Sequence, residues 1–240
     1  MTAMMLTDFH SHILPGIDDG SASVEQSIAM LKREAEQGVN RVVATPHFYP
    51  QHDSPDRFIA RRAAAEARLR EEMEKHSGLP ELVVGAEVYF FRGISESDFL
   101  AGLTMGNNCC ILLEMPMVKW TESMYRELAD VHHKQGLIPV IAHVDRYIRP
   151  LQTHRIPQML EQLPVYVQAN AASFLRSSSR GMMLRLLKQD RVHLIGSDCH
   201  NLDDRAPNMA EAVELIQKHA GPEVLIRIRE YEDRLLSNRK

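Results

Sequence analysis

Short apolar runs alternate along this chain with longer segments whose apolar positions recur at helical spacing. The runs Leu6–Phe9, Arg41–Thr45, Leu82–Ala86, Cys110–Leu113, Ile138–Ala142, Val165–Ala169 and His193–Gly196 have the length and apolar character of strands buried on both faces. Between the first two, Val24, Ile28, Leu31 and Ala35 mark one face of a helix. Ser23 and Gln26 have capping-box spacing at its start, and Gly38 stands just past its end. Asp56 to His76 reads as a long helix whose many Arg and Glu residues make a solvated face. Glu122–Gln135 and Gly181–Gln189 read as further helices, and Met209, Val213, Ile216 and Ala220 line a last amphipathic one. About seven strands alternating with helices predict an α/β fold built on a parallel sheet or barrel. No repeat, low-complexity stretch or linker divides the chain, so a single domain over residues 1–240 is expected.

Composition narrows the class. With 44% hydrophobic and 25% charged residues the chain has enough apolar material for a globular core. The formal charge of −4 argues against a nucleic-acid partner, which calls for a basic stripe. No run approaches the roughly 20 apolar residues of a membrane span, so no membrane insertion is expected. Met1 to Phe9 has no basic n-region and meets Asp8 before an apolar stretch could form, unlike a signal peptide; Met4 and Met5 are alternative starts. Three cysteines, two of them adjacent, make a poor disulfide framework, and reduced thiols in the cytoplasm are the expectation.

Candidate chemistry sits at the C-terminal end of each strand. The first run leads into His10-Ser11-His12, the second into Pro46-His47, the third into Glu87, the fourth into Glu114 and the fifth into His143. The sixth ends in Asn170 and the seventh in Ser197-Asp198-Cys199-His200. In (β/α) barrels the C-terminal strand ends build the active site. Each signal alone is weak: an H-x-H pair arises by chance, and a glutamate after a strand is more often a salt-bridge partner. Seven such coincidences at one end of the strands point jointly to metal.

His10, His12, Asp19, His47, Glu87, Glu114, His143, Asp198 and His200 are nine candidate ligands, too many for one ion and suited to two or three sharing a carboxylate. Histidine with carboxylate and no thiolate fits Mn²⁺, Fe²⁺ or Zn²⁺. Three divalent ions against four carboxylates leave roughly +2, a pocket for a phosphate dianion. Arg146 and Arg205 stand close enough in sequence to His143 and His200 to reach that mouth and grip phosphate oxygens. Their bland alternative is surface pairing with Asp145, Asp203 or Asp204.

The stretch His10-Ser11-His12-Ile13-Leu14-Pro15-Gly16-Ile17-Asp18-Asp19-Gly20 resembles the opening of the PHP (polymerase and histidinol phosphatase) superfamily. Ala44-Thr45-Pro46-His47, Gly85-Ala86-Glu87, the segment from Ile141 to Tyr147 and that from Ser197 to Asp203 match further motifs in order. The nearest resemblance is to the metal-dependent protein-tyrosine phosphatases of bacterial capsule and exopolysaccharide loci, from about Thr7 to Ala220. It implies a distorted seven-stranded (β/α) barrel, the PHP fold, with its active site at the C-terminal strand ends and three ions, typically Mn²⁺. By the same resemblance His10, His12, Glu87 and Asp198 would hold one ion. Asp19, His47 and His200 would hold a second, and Glu87 (bridging), Glu114 and His143 a third. Arg146 and Arg205 would contact phosphate, with Asp8 and Asn170 orienting ligands.

The implied reaction is in-line attack on phosphorus by a metal-activated hydroxide. Phenolate leaves readily, and His200 is a candidate proton donor for poorer leaving groups. The implied substrate is a phosphotyrosine protein, a bacterial tyrosine kinase, in capsule or exopolysaccharide regulation. Histidinol phosphate or another small phosphoester is the alternative, and a non-catalytic metal-binding partner protein a more distant one. Asp145 and Cys199 depart from the usual Glu and Met, and the tail after Gly221 lacks the Asn-Pro ending, which bears on whether an oligomer forms. Cys199 to Arg205 also fits the C-x₅-R spacing of thiol phosphatases, but its loop has no glycine and carries two aspartates, so a coincidence is expected. The stretches Phe48–Pro55 and Met115–Trp120 are candidate pocket borders, with Trp120 and the methionines either meeting a tyrosine ring or packing the rim.

Overall fold

A computed structural model describes residues 6–148 and 156–237. The alternative starts Met1, Met4 and Met5, and the end of the tail, lie outside the described residues.

Among the described residues nine parallel strand segments carry the fold: β1 (Leu6–Ser11), β2 (Val39–Ala44), β3 (His47–Phe48), β4 (Glu81–Val84), β5 (Glu87–Tyr89), β6 (Cys110–Glu114), β7 (Ile138–Ile141), β8 (Tyr166–Asn170) and β9 (Leu194–Gly196). They pair in the orders β1-β2-β4 and β3-β5-β6-β7-β8-β9. The expectation of seven strands differs from nine segments because two runs are interrupted. Thr45-Pro46 separates β2 from β3, where Pro46 has no N–H to donate. Gly85-Ala86 separates β4 from β5. Pairing nonetheless crosses both gaps, Gly85 N–H donating to Ala44 O (2.9 Å) and Glu87 N–H to Pro46 O (3.0 Å). The sheet curls until its outer strands meet: Asp198 N–H donates to His10 O (2.8 Å) and His12 N–H to Cys199 O (2.9 Å).

Helices cover the outside: α1 (Val24–Glu36), α2 (Pro55–Met73), α3 (Glu122–Gln135), α4 (Asp145–Ile148), α5 (Ile156–Leu160), α6 (Ala171–Leu175), α7 (Ser177–Lys188), α8 (Met209–Ala220) and α9 (Pro222–Leu236). The expected cap of α1 is present: Ser23 Oγ accepts from Gln26 N–H (3.3 Å), and Gln26 Oε1 accepts from Ala22 N–H, one residue before the expected partner. Helix α9 was not anticipated, its apolar residues being diluted by arginine and glutamate. It buries Val224, Leu225, Ile228 and Leu235, and its end reaches the sheet, where Asn108 Nδ2 donates to Leu236 O (3.0 Å). Leu235 packs with Phe9, Val43, Leu112, Val140 and Leu194, which are side chains of one sheet face.

Helix α2 presents the expected solvated face of Arg and Glu, and several of its arginines also reach back to the protein. Arg61 donates to Ile17 O (3.3 Å), Arg62 to Gly85 O (3.0 Å), Arg68 to Pro15 O (3.1 Å) and Arg70 to Leu82 O (2.9 Å). These side chains hydrogen-bond backbone carbonyls in the loops after β1 and β4 and, at Leu82, on β4 itself. No helix among the described residues is long and apolar enough to cross a membrane.

Candidate metal centre

The strand ends deliver their polar side chains to one place, and local backbone irregularities aim them. On β1, Asp8 pairs with Val42 but Ser11 with Ala44, so β1 carries one residue more than β2 over that stretch. Such a bulge breaks the in–out alternation. It lets Phe9 join the inner apolar cluster while His10 and His12 still reach the carboxylates of β5 and β9. Asp8 takes the other face: its carboxylate accepts from Ser197 N–H (2.7 Å) and His10 N–H (3.2 Å), tying β1 to the end of β9. Gly196 permits this closeness, since a Cβ there would stand 2.5 Å from His10 Cβ. His143 (φ 32°) and Asp198 (φ 57°) adopt left-handed conformations that cost non-glycine residues energy and commonly mark functional sites.

Around Glu87 the site is dense and buried. Its Oε2 lies 3.3 Å from His10 Nε2, 3.4 Å from His12 Nε2 and 2.9 Å from His47 Nδ1, while Oε1 lies 2.8 Å from His143 Nε2. Glu114 Oε1 is 3.8 Å from His143 Nε2. Asp198 Oδ1 is 3.7 Å from His10 Nε2 and 3.5 Å from His12 Nε2. Asp19 Oδ1 is 3.4 Å from both His47 Nε2 and His200 Nε2. All nine candidate ligands thus meet in one site. Eight of them, all but His143, fall into groups whose ligand atoms lie within 4.8 Å of one another: His10, His12 and Asp198; His12, Asp19, His47 and His200; His47, Glu87 and Glu114. Against the expected sets the first lacks Glu87, the second adds His12, and the last holds His47 in place of His143, which stands beside it through Glu87.

The donor set fits cations. A carboxylate can only accept, so Asp18 Oδ2 at 2.7 Å fixes a proton on His12 Nδ1 and leaves Nε2 as the atom that can ligate a cation in place of its own proton. That atom faces His10 Nε2 at 3.1 Å, a spacing at which the two rings share a hydrogen bond or turn together to a cation. His200 is likewise fixed: its Nδ1 donates to Asp198 O (3.0 Å), and its buried Nε2 has no hydrogen-bond partner among the described residues. Glu87 Oε2 is also buried without one.

Neighbouring charges and burial shift the titratable groups strongly. Burial opposes charge on His12, but Asp18 and Glu87 outweigh it and push the imidazole up to about 10. Burial would raise Glu87, yet His10, His12 and His143 hold it well below the ordinary carboxylate range. His200 is pushed down to about 4 by burial, with His12 and Arg205 adding to it.

At the mouth, the two candidate arginines converge on one carboxylate. Arg146 Nη2 bonds Asp198 Oδ2, and Arg205 Nη2 lies 2.9 Å from Asp198 Oδ1, with Arg205 Nη1 3.7 Å from Asp19 Oδ2. Asp145, Asp203 and Asp204, the bland alternatives, are not their partners among the described residues. Asp145 instead accepts from Asn170 N–H (2.9 Å), and Asn170 Nδ2 donates to Asp198 Oδ2 (2.8 Å).

Two contributing residues, Asp18 and Gln168, were not singled out from sequence, whereas Tyr49 and Trp120 lie in the candidate border stretches. Asp18 also accepts from His47 N–H (3.0 Å) and Gly20 N–H (3.0 Å), locking the loop that carries Asp19. Gln168 accepts from His143 N–H (2.6 Å) and stands 3.5 Å from His10 Nδ1; a glutamine inside an apolar strand was the available signal. Tyr49 hydroxyl donates to Glu114 Oε2 (3.4 Å). Trp120 belongs to the rim: it is buried, packs on Tyr147 (5.1 Å between centroids) and donates to Pro116 O (3.2 Å).

The thiol reading fails on geometry. Cys199 is fully buried on the α1 side of the sheet, 3.8 Å from Glu34 Oε1, and burial together with Glu34 and Asp8 pushes its thiol well up. A nucleophilic cysteine needs the opposite, an accessible and electropositive setting.

Residues 6–234 match the family described as capsular polysaccharide synthesis, CpsB/CapC. The tyrosine-protein phosphatase CpsB of Streptococcus agalactiae is 28% identical over 229 residues, covering 91% of this chain and 92% of that protein. The tyrosine-protein phosphatase YwqE of Bacillus subtilis is 28% identical, covering 97% and 92%. Among solved structures, one from work on YwqE of Bacillus subtilis and CpsB of Streptococcus pneumoniae, described as unique metal-dependent tyrosine phosphatases, superposes with a TM-score of 0.85. It is 25% identical and covers 98% of this chain and 96% of that one. A TatD family hydrolase from Entamoeba histolytica, 8% identical with a TM-score of 0.56, shares the fold alone. A match running from the first described strand nearly to the end of α9 leaves one assignment: the chain belongs to the CpsB/CapC family.

Proposed function

We propose that this chain is a metal-dependent protein-tyrosine phosphatase acting in the cytoplasm on a bacterial tyrosine kinase and so regulating capsule or exopolysaccharide synthesis. We read residues 1–240 as one domain and the nine segments as a distorted seven-stranded (β/α) barrel, β2/β3 and β4/β5 each being a single strand. The observation that carries the reading is Asp198, held on one side by the histidine cluster and on the other by Arg146 and Arg205. Cation ligands and two guanidinium forks around one small mouth suit a phosphate dianion.

In this reading His10, His12, Glu87 and Asp198 hold one ion, Asp19, His47 and His200 a second, and Glu87, Glu114 and His143 a third, most naturally Mn²⁺, with Fe or Zn as alternatives. Bound divalent ions supply an activated water and neutralise phosphoryl charge. The protein's own groups do the rest. Asp18 keeps His12 in the tautomer whose Nε2 is free to ligate, and the Asp198 carbonyl does the same for His200. With Nδ1–H so engaged and Nε2 left to ligate, His200 would serve as a ligand rather than a proton donor. A phenolate needs no donor, so this favours aryl over alkyl phosphates. Arg146 and Arg205 turn from Asp198 towards the equatorial oxygens and hold the ester in line for attack.

The test compares phosphate release from a phosphotyrosine peptide with that from histidinol phosphate, using Mn²⁺-loaded protein. The expected result is kcat/KM at least about a hundredfold higher for the peptide. Preferential cleavage of histidinol phosphate would keep the metal site and reject the tyrosine reading.

A further inference from the structure

Beside the ligand cluster a cavity of about 720 Å³ begins at Asp19, His47 and Tyr49 and ends against Asp53, just before α2, and Arg57 and Arg61 of α2. That volume lies in the upper part of the range for whole ligands, so a single aryl phosphate leaves much of it free. A compact void of this size is roughly 11 Å across, and successive Cα atoms stand about 3.8 Å apart. Its far wall is therefore within reach of a side chain two or three positions from a phosphotyrosine seated at the ligands.

The chemistry of that wall is unbalanced. Arg57 Nε and Arg61 Nη2 both bond Asp53, one guanidinium on each carboxylate oxygen. Two cations against one anion leave a net charge of +1. The carboxylate is sheltered, its side chain 10% exposed, whereas those of Arg57 and Arg61 are 65% and 47% exposed. Arg57 also donates to His52 O (3.2 Å) and Arg61 to Ile17 O (3.3 Å). Nη1 of Arg57 and Nε of Arg61 keep no partner among the described residues. Asp53 thus serves to hold two forks side by side, facing the cavity with donors to spare. The remaining acids of the cavity are engaged elsewhere, Asp18 with His12 and Asp19 with His47, His200 and Arg205.

We propose that Arg57 and Arg61 form a subsite for an anionic side chain flanking the phosphotyrosine of the peptide substrate, a carboxylate or a second phosphate monoester. The inference rests on the phosphatase reading and adds a sequence preference to it. Exposed charge pairs contribute modestly, so the preference is about fivefold for a carboxylate and larger for a doubly charged phosphate.

The test measures binding of short peptides bearing a non-hydrolysable phosphonate analogue of phosphotyrosine to full-length, Mn²⁺-loaded protein. Glutamate, glutamine or a second phosphonate residue is placed at each of the three positions on either side. The expected result is about fivefold tighter binding of glutamate than glutamine at one or two positions on one side, and a stronger effect of the second phosphonate there. Arg57→Gln brings the glutamate-to-glutamine ratio close to one, and Arg57→Lys restores part of it. Equal binding of the two by the wild type, an undiminished ratio in Arg57→Gln, or no binding of any peptide overturns the subsite. Failure of the phosphatase reading shows separately, as analogues that bind while the matching phosphopeptides release no phosphate.

Discussion

Asp18 and Cys199 illustrate how differently neighbours of a candidate ligand can behave. Asp18 is bound to His12, His47 and Gly20 at once, so it fixes a ring tautomer, a strand start and a loop together. Losing such an outer partner of a ligating histidine typically costs 10- to 100-fold in metal affinity. Asp18→Ala is expected to weaken Mn²⁺ binding by about that factor in calorimetric titration while the protein stays folded; unchanged affinity would remove Asp18 from the site's architecture. Cys199, by contrast, carries a chemically suggestive motif and points the wrong way. Cys199→Ser is expected to keep at least about half of wild-type turnover, measured with metal content matched, because the thiol never meets substrate. A near-total loss at full metal content would restore the thiol mechanism. Of these two residues the sequence exposed only the misleading one. Strand-end position is readable from an apolar run, whereas Asp18 acts through a loop whose fold depends on His12, Gly20 and the arginines of α2.

Among the strands and helices, apolar periodicity located those whose burial is one-sided or complete, as for β6, β7 and α3. It failed where charge and burial coexist. Helix α9 is the clearest case, since it buries Glu232 along with its leucines. Burial pushes the Glu232 carboxyl up to about 8; Thr7 and Arg41 relieve part of this, and the nearby Asp233 and Asp8 add smaller amounts. Folded, the group keeps its proton to about pH 8; unfolded, it loses it near 4.5. Between those values unfolding releases a proton, so this group's contribution to stability falls as pH rises. Relative to the wild type, Glu232→Gln should therefore gain about 3 kcal/mol between pH 5 and pH 8 in denaturant titrations, given about 1.4 kcal/mol per pH unit for one proton. A difference that stays constant across this range would contradict the assignment. The bulge in β1 was equally hidden, because it adds no turn residue and is visible only in the register against β2.

Taken as a whole, the molecule gathers side chains from His10 to His200 into one site by curling a parallel sheet until its first and last strands touch. That convergence was legible because the polar residues share one end of successive strands, a pattern that survives errors of a residue or two in strand limits. The grouping around each ion was not, since it depends on rotamers and on the left-handed turns at His143 and Asp198. Whether this cluster, loaded with divalent metal, hydrolyses phosphotyrosine is decided by metal stripping and return. Phosphate release from a phosphotyrosine peptide is recorded after the protein is treated with a chelator, and then as Mn²⁺ is added back in measured equivalents. Turnover is expected to disappear on stripping and to recover as Mn²⁺ is added, levelling near three ions per chain. Turnover that persists in protein verified to be metal-free would contradict the metal-centred phosphatase.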